Sequence, residues 1–267
     1  MSCSMPRAAA SRPPVTVSLR FYARLNDFIA RQRRHHDFEW SCAAEATVKH
    51  VIEAVGVPHT EIELILVNGA SVGFAELLHN ADRIAVYPHF ASLELGPLRV
   101  LERCAPTVAR FIADAHLGGL ARLLRMAGFD TLYDNRRDDA EIEHMACRDK
   151  RIVLSRDREL LKRRSLACGC YVHALAPDEQ LAEILGRLDL AGQVQPLTRC
   201  LECNAMLQPV AKAQVVARLP PGAAERQQRF STCPVCQGVF WEGSHWRRMR
   251  QRLALAVEAA GGVLPPA

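Results

Sequence analysis

The sequence predicts an α/β protein in which a parallel sheet flanked by helices follows a small α+β domain and precedes a zinc ribbon. Three observations support this prediction. Apolar strands alternate with amphipathic helices between residues 108 and 196, which is typical of a parallel sheet with helices on both faces. The order strand, strand, helix, strand, strand fits residues 15–90. Two Cys-x-x-Cys pairs occur within residues 197–260, and such pairs are a zinc-binding pattern.

Length and composition are those of a globular chain with more than one domain. The chain has 267 residues and a hydrophobic content of 49%, which suits two or three folded domains. No apolar run is long enough to span a membrane, and residues 1–14 lack the apolar segment of a secretory signal. We therefore expect a cytoplasmic protein with a disordered tail at residues 1–14. The net charge is +5, and the arginine clusters suit either a polyanion or a solvated helix face.

Residues 15–90 are predicted to form the small α+β domain. Its helix stops at Gly56, a residue type that commonly ends helices. The order of elements resembles the β-grasp fold of ubiquitin and the small sulfur-carrier proteins. The chain continues past the last strand without a Gly-Gly end, so we expect a scaffold or a docking module for a protein partner rather than a sulfur carrier. The predicted strands lie at residues 15–22, 38–42, 64–67 and 83–87.

Residues 91–107 contain two prolines and no strong period, which predicts a linker before the central module at 108–196. Within that module, the strand VARFIAD ends at Asp114 and the strand RIVLSRD ends at Asp157. Because the carboxyl ends of parallel strands meet at one edge of a sheet, both aspartates are expected at that edge.

A third acid is expected to join them. Asp139 opens the helix between the two strands, whereas Asp138 and Glu141 fit a capping box; the roles of Asp138 and Asp139 can be exchanged. Neighbouring carboxylates repel one another, and Mg²⁺ or Mn²⁺ relieves that repulsion. We therefore predict that Asp114, Asp139 and Asp157 gather in one pocket, where they bind Mg or Mn and act as catalytic residues.

Arginines near the acids and in the C-terminal helix are predicted to bind substrate phosphates. Arg156 and Arg158 flank Asp157, and Arg247 and Arg248 lie in the arginine-rich helix after the second cysteine pair. The first pair can equally be ordinary surface residues, and a solvated helix face explains the second pair equally well, so both interpretations stay open.

The two cysteine pairs are predicted to hold one structural zinc ion in a closed tetrahedral site. Residues 204–232 separate the pairs, which predicts an inserted hairpin or loop. The other six cysteines are scattered and are expected to be free thiols; they are Cys3, Cys42, Cys104, Cys147, Cys168 and Cys170. The predicted zinc ligands are Cys200, Cys203, Cys233 and Cys236.

Much of the chain resembles a known family, the PIN-like ribonuclease domain called the Mut-seven C-terminal domain. The resemblance rests on FIADAHLGGLARLLRMAGFDT, DDAEIEHMA and RIVLSRDRELL, in that order, followed by the cysteine pairs. The N-terminal segment is similar to the ubiquitin-like module often joined to that domain. The resemblance implies a PIN-like fold and a metal-dependent ribonuclease whose acids are Asp114, Asp139 and Asp157. PIN domains typically use four acids, and neither Asp130 nor Asp134 sits at an evident fourth position.

Three functions follow from these observations. The three placed aspartates favour a ribonuclease that binds RNA and works without a membrane. The missing fourth acid favours a catalytically weak or inactive module that binds RNA or a protein. A phosphatase built on a similar sheet requires a second acid two residues after the first, and His116 at that position disfavours it.

Overall fold

The computed structural model describes residues 13–89, 100–101 and 108–264. These residues form two compact units, of which the second contains all of 108–264. Most of the predicted tail and linker lies outside the described residues, so these assignments and the domain boundaries stay predictions. No helix among the described residues is both long enough and apolar enough to cross a bilayer.

The first unit is a five-stranded mixed sheet with one α-helix. The strand order is β2-β1-β5-β3-β4, in which β1 and β5 are parallel and the other neighbours are antiparallel. This is the β-grasp arrangement predicted from the sequence, and the two-residue strand β4 is an addition. The elements are β1 (Val15–Phe21), β2 (Phe38–Cys42), α1 (Val48–Val55), β3 (Ile62–Val67), β4 (Ala70–Ser71) and β5 (Arg83–Pro88), with 3-10 helices at Ala23–Phe28, Arg31–Arg33 and His59–Glu61.

Local chemistry fixes both ends of the helix in this unit. The Thr47 hydroxyl accepts a hydrogen bond from the His50 backbone N–H at 3.3 Å, which satisfies one of the free donors of the first turn. Gly56 ends the helix in the left-handed region at φ 115°, where a side chain would be strained. Between these ends, Val51 and Ile52 are fully buried.

The second unit begins with a four-stranded parallel sheet in the order β7-β6-β8-β9. Successive residues of β6 pack on opposite faces, since Phe111 and Ala113 join one core and Ile112 joins the other. The elements are β6 (Arg110–Ala113), α2 (Gly118–Met126), β7 (Asp130–Tyr133), α3 (Asp139–Asp149), β8 (Ile152–Ser155), α4 (Arg158–Leu161), β9 (Gly169–Tyr171) and α5 (Pro177–Arg187), with 3-10 helices at Ala115–Leu117 and Ala191–Gln193.

The connections place helices on both faces of this sheet. Residues of α2 and α5 belong to one core, and residues of α3 and α4 belong to the other. The chain moves from β6 outward to β7 and then returns past β6 to β8, so the order reverses between β6 and β8. Ligand sites of open parallel sheets form at the carboxyl ends of the strands that flank such a reversal.

The rest of the unit forms a small antiparallel sheet and a long helix, α8. The strand order is β10-β11-β12, and the four cysteines are consistent with the predicted zinc ribbon. Leu253 and Val257 of α8 are fully buried in the core that α2 and α5 share. The elements are β10 (Gln208–Val210), α6 (Lys212–Val215), α7 (Pro221–Arg226), β11 (Phe230–Thr232), β12 (Val239–Trp241) and α8 (Ser244–Ala259), with a 3-10 helix at Val216–Arg218.

One cysteine corrects the sequence-based expectation. Cys168 lies in a disulfide, whereas Cys42, Cys147 and Cys170 carry free thiols. A disulfide requires two cysteine Cα atoms to approach within about 7 Å, and spacing along the chain does not reveal that approach. Cys3 and Cys104 lie outside the described residues.

Candidate active site

Asp114 lies at the centre of the predicted site, directly after β6. Its backbone N–H donates to the Leu154 carbonyl at 3.0 Å, which keeps the end of β6 paired with β8. Its carboxylate accepts a hydrogen bond from the Ala115 N–H at 2.6 Å and therefore caps the short helix that follows. The residue is only 9% exposed, and none of the ion pairs among the described residues involves it.

Ser155 joins the two strand-end aspartates. Its hydroxyl donates to Asp114 Oδ2 at 2.7 Å and accepts from the Asp157 backbone N–H at 2.8 Å. Ser155 is fully buried at the end of β8, so this hydroxyl holds both acids at the carboxyl edge of the sheet. Sequence reasoning did not identify Ser155. The signal was present, because serine commonly bonds to the backbone two residues later.

Asp157 has a structural role as well as a place at the edge. Its carboxylate accepts a hydrogen bond from the Glu159 N–H at 2.7 Å, so it caps α4. The side chain is exposed, in contrast to Asp114. Asp157 therefore acts as a helix cap as well as an edge residue.

Asp138 has the capping role that the sequence predicted, whereas the metal-binding role of Asp139 stays a prediction. Asp138 caps α3 through a capping box: its carboxylate accepts from the Glu141 backbone N–H at 2.9 Å, and its own N–H donates to the Glu141 carboxylate at 3.1 Å. Asp139 is the first helical residue, and its carboxylate lies 3.6 Å from the guanidinium of Arg163. The side chain of Asp139 is 43% exposed, so solvent screens this pair strongly.

The three predicted carboxylates do not form one tight pocket. Among the described residues, the four cysteines alone place three or more metal-ligating atoms within 4.8 Å of one another. The expectation that Asp139 closes such a pocket with Asp114 and Asp157 is corrected in this respect, and Asp139 lies beside Arg163; the catalytic roles of the three acids stay predictions. Mg²⁺ retains several waters and is often held by one or two carboxylates with substrate phosphates. The donor set of Asp114 and Asp157 fits that chemistry.

The neighbouring strand contributes two further aspartates, at opposite ends. Asp134 directly follows β7 and so lies at the carboxyl edge; hydrogen bonds from the Arg136 backbone and side chain hold the pKa of Asp134 below its usual range. Asp130 begins β7 at the amino edge. Desolvation would raise its pKa, but hydrogen bonds from Arg151 and Asn204 prevail and lower it. Asp130 is thereby a structural ion-pair residue and not a metal ligand of the carboxyl edge.

The four predicted substrate-binding arginines fall into two groups. Arg156 donates to the Ala174 carbonyl at 3.2 Å, and the Arg158 guanidinium lies 5.8 Å from the centre of the Tyr171 ring. The other pair, from the C-terminal helix, is exposed on α8. The exposed pair on α8 is Arg247 and Arg248. None of these contacts tests substrate binding, so the substrate role of all four arginines stays a prediction.

The cysteine pairs form the second candidate centre. Their four sulfur atoms lie within 4.8 Å of one another, and the Sγ atoms of Cys200 and Cys236 are 3.7 Å apart. A Zn–S bond of about 2.3 Å sets a tetrahedral edge of about 3.8 Å, so the geometry fits zinc. Desolvation would raise the pKa of Cys233, yet backbone N–H groups of Cys236 and Val235 outweigh it and lower that pKa to about 7.

A buried hydrogen-bond network attaches the first cysteine knuckle to the amino edge of the parallel sheet. Arg125 donates to the backbone carbonyls of Thr131, Leu201 and Glu202 at 2.8–2.9 Å. The Asn204 side chain accepts a hydrogen bond from the Thr131 N–H at 3.0 Å and donates one to the Asp130 carboxylate at 2.7 Å. The ribbon is therefore attached at the amino edge of the sheet, opposite the carboxyl edge where Asp114 and Asp157 lie.

Comparison with known proteins gives two family matches. Residues 109–253 match the Mut7-C RNAse domain, and residues 14–94 match the Mut7-C ubiquitin domain. Both the domains and their order confirm the resemblance stated from the sequence. The search of curated proteins found no match.

Two similar solved structures cover the N-terminal unit. The first is the small archaeal modifier protein 1 of H. volcanii, with 18% identity over 28% of this chain and 97% of that chain, at a TM-score of 0.22. The second is SAMP1 from Haloferax volcanii, with 17% identity over 29% of this chain and 99% of that chain, at a TM-score of 0.23. At these scores neither structure supports a functional conclusion.

Proposed function

Because the chain belongs to the Mut7-C RNAse domain family, we propose that it is a metal-dependent ribonuclease that hydrolyses RNA phosphodiester bonds at the carboxyl edge of its parallel sheet. The observation that carries this proposal is the pair of aspartates, Asp114 and Asp157, linked through the Ser155 hydroxyl at the strand reversal between β6 and β8. A buried carboxylate without a cationic partner is costly, and a bound divalent cation would supply the missing charge.

Each residue has a defined part in this proposal. Asp114 is the principal carboxylate ligand, and Asp157 is the second. Ser155 orients both, since its hydroxyl contacts one through the side chain and the other through the backbone. Asp139, at the start of α3 and outside any tight group with the other two acids, is proposed to assist cleavage through a water that the ion retains. A bound Mg²⁺ or Mn²⁺ would supply an activated water and offset the charge that develops on the phosphodiester.

The remaining predicted roles extend from this centre. Arg156 and Arg158 follow β8 at the same edge and are proposed to contact RNA phosphates, as are Arg247 and Arg248 on α8. The cysteine cluster is proposed to hold structural zinc, and the ubiquitin-like unit to dock a protein partner. A cytoplasmic location stays a prediction.

Cleavage of a labelled single-stranded RNA in Mn²⁺ tests the proposal. The double variant Asp114→Asn, Asp157→Asn is expected to lose cleavage while it retains the circular dichroism spectrum of the wild type. Asp149→Asn, at the far end of α3, is the matched control and is expected to cleave normally. Equal cleavage by wild type and double variant would attribute the activity to a contaminant and overturn the proposal.

A second candidate function is an RNA- or protein-binding module with little or no catalysis. The separation of Asp139 from the other two acids favours it, because the described carboxylates include no tight group of three. RNA binding without Mn²⁺-dependent cleavage by the wild type would support this second function.

A further inference from the structure

A cavity lies between the zinc ribbon and α8, and none of the strand-end aspartates lines it. Its volume is about 560 Å³, within the range of small-molecule pockets. Aromatic and arginine side chains form much of its wall. The lining residues that matter here are Arg199, Arg229, Phe240, Trp241, Trp246 and Arg250.

The aromatic side chains of this wall are incompletely covered. Phe240 and Trp241 lie on β12, and Trp246 lies in the first turn of α8. All three are half-buried, so ring surface remains open to a ligand. The chain has 3 tryptophans, and two of them face this one cavity. The exposed faces of these rings can stack on a planar ring of a ligand, because stacking between aromatic rings is favourable.

The charged groups of the wall give it a positive balance. Three arginines and one carboxylate, Glu242, line the cavity, which leaves a formal charge of +2. Arg229 lies 3.8 Å from Glu242. Arg199 donates to the carbonyls of Gly128 and Asn204, and neutral carbonyls do not cancel its charge. The Arg250 guanidinium lies 5.6 Å from the centre of the Trp246 ring.

We propose that this cavity binds an unpaired nucleotide of an RNA strand. A base stacks on Trp241 or Trp246, and the adjoining phosphates contact Arg229 and Arg250. Aromatic faces combined with arginine are the means by which proteins hold single-stranded RNA without reading its sequence. This inference rests on the proposed ribonuclease function and specifies its substrate, which is RNA with a single-stranded segment.

The framework around the cavity is held in place by the fold. Arg252, two residues after Arg250, forms a bidentate ion pair with Asp178 of α5 at 2.8 Å, and Leu253 is fully buried. The middle of α8 is thereby held against the parallel-sheet core. A nucleotide in the cavity would anchor the RNA to a rigid wall within the same unit as the acidic centre.

Tryptophan fluorescence tests the inference directly. In a Trp40→Phe, Asp114→Asn protein, the only tryptophans line the cavity and cleavage is disabled. A single-stranded RNA of about ten nucleotides, within the usual range of site sizes, is expected to quench the fluorescence, and an RNA duplex to quench it less. Trp246→Leu is expected to weaken binding roughly tenfold, measured by fluorescence anisotropy of labelled RNA, and Trp246→Phe to restore most of it.

Trp241→Leu provides a second variant in case the first disturbs α8, and Trp40→Leu in the other unit is the matched control. Unchanged binding in both cavity variants, or no quench by RNA, would overturn the inference. An equal quench by polyglutamate would also overturn it, in favour of an acidic protein partner. Wild-type cleavage with unchanged binding in the cavity variants defeats this inference alone, whereas quenching without wild-type cleavage defeats the ribonuclease proposal alone.

Discussion

The two edges of the parallel sheet place the same residue type in opposite surroundings. At the amino edge, Asp130 receives hydrogen bonds from Arg151 at 2.8 and 3.1 Å and from Asn204 at 2.7 Å. At the carboxyl edge, Asp114 receives one hydroxyl and one backbone N–H, at 2.7 and 2.6 Å, and has no ion-pair partner among the described residues. One carboxylate is neutralised within the fold and the other is not.

This difference separates structure from chemistry within one sheet. The amino edge holds the first cysteine knuckle. The Arg125 side chain donates to backbone carbonyls of the knuckle, and the Asn204 side chain accepts from a backbone N–H of β7. The other edge retains an oriented negative charge beside the strand reversal, where parallel sheets bind ligands. We infer that the amino edge keeps the unit folded and that the carboxyl edge acts on RNA.

The largest effect is expected from loss of the proposed zinc ion. Cys233→Ser removes one of four thiolates, and structural zinc binding contributes on the order of 10 kcal/mol to folding in small domains. The variant is expected to lose its zinc and much of the second unit's helical signal, measured by metal analysis and circular dichroism. Cys147→Ser, at an exposed free thiol, is the control. About one zinc per wild-type chain is expected; a folded, metal-free wild type would refute the site.

Asp130→Asn is expected to lower the free energy of unfolding by about 2 kcal/mol, since it removes the closer of the two carboxylates that pair with the buried Arg151 guanidinium, and Asp149 remains 3.7 Å away. Cleavage per folded molecule should stay unchanged. Because the folded-state pKa of Asp130 lies below its usual value, its stabilisation is present above the unfolded-state pKa and is lost as pH falls through the folded one.

Urea unfolding at a series of acidic pH values checks this sign. The difference in stability between wild type and Asp130→Asn should shrink as the pH falls below about 4. A difference that grows on acidification would contradict the assignment. Selective loss of cleavage by this variant, with stability retained, would move the chemistry to the amino edge.

Ser155→Ala is expected to reduce cleavage about 10- to 100-fold, the usual cost of removing a group that orients a metal ligand. The RNA affinity should change little, and more Mn²⁺ should be needed for half-maximal rate. Ser165→Ala, which removes an exposed hydroxyl bonded to Glu143, serves as the control. Equal rates for the two serine variants would show that the link between Asp114 and Asp157 is unimportant.

The smallest effect separates the two adjacent acids at the start of α3. Asp138→Ala removes the capping box and is expected to cost about 1 kcal/mol of stability, with cleavage unchanged. Asp139→Ala should leave stability nearly unaltered and reduce cleavage. Thermal unfolding and initial rates distinguish the two, and the reverse result would exchange their roles.

The sequence predicted the elements that have a clear period or a clear end. The capping box at Asp138 is present, and so are the two predicted strands, although they end at Ala113 and Ser155, one and two residues before Asp114 and Asp157. Apolar runs and cap residues are local features, so they can be identified from one sequence. The four-cysteine cluster was predicted for the same reason, because each Cys-x-x-Cys pair is a local pattern.

Features that depend on distant partners were not predicted. The contacts of Ser155 with Asp114 and of Asp130 with Asn204 join residues 41 and 74 positions apart. The position of Asp139 beside Arg163 and the disulfide at Cys168 are likewise products of tertiary packing. The strands of the ribbon were not predicted, because each has only three residues, too few to show an alternation of apolar and polar side chains.

The most direct test of the two-edge account is Mn²⁺ binding to the zinc-loaded protein, measured by electron paramagnetic resonance. Wild type and Asp130→Asn, compared at neutral pH where both are folded, are expected to bind Mn²⁺ with the same affinity. Asp114→Asn is expected to bind at least about 100-fold more weakly, since even an indirect contact to a metal ligand is worth 10- to 100-fold. Equal binding by Asp114→Asn and wild type would contradict the account.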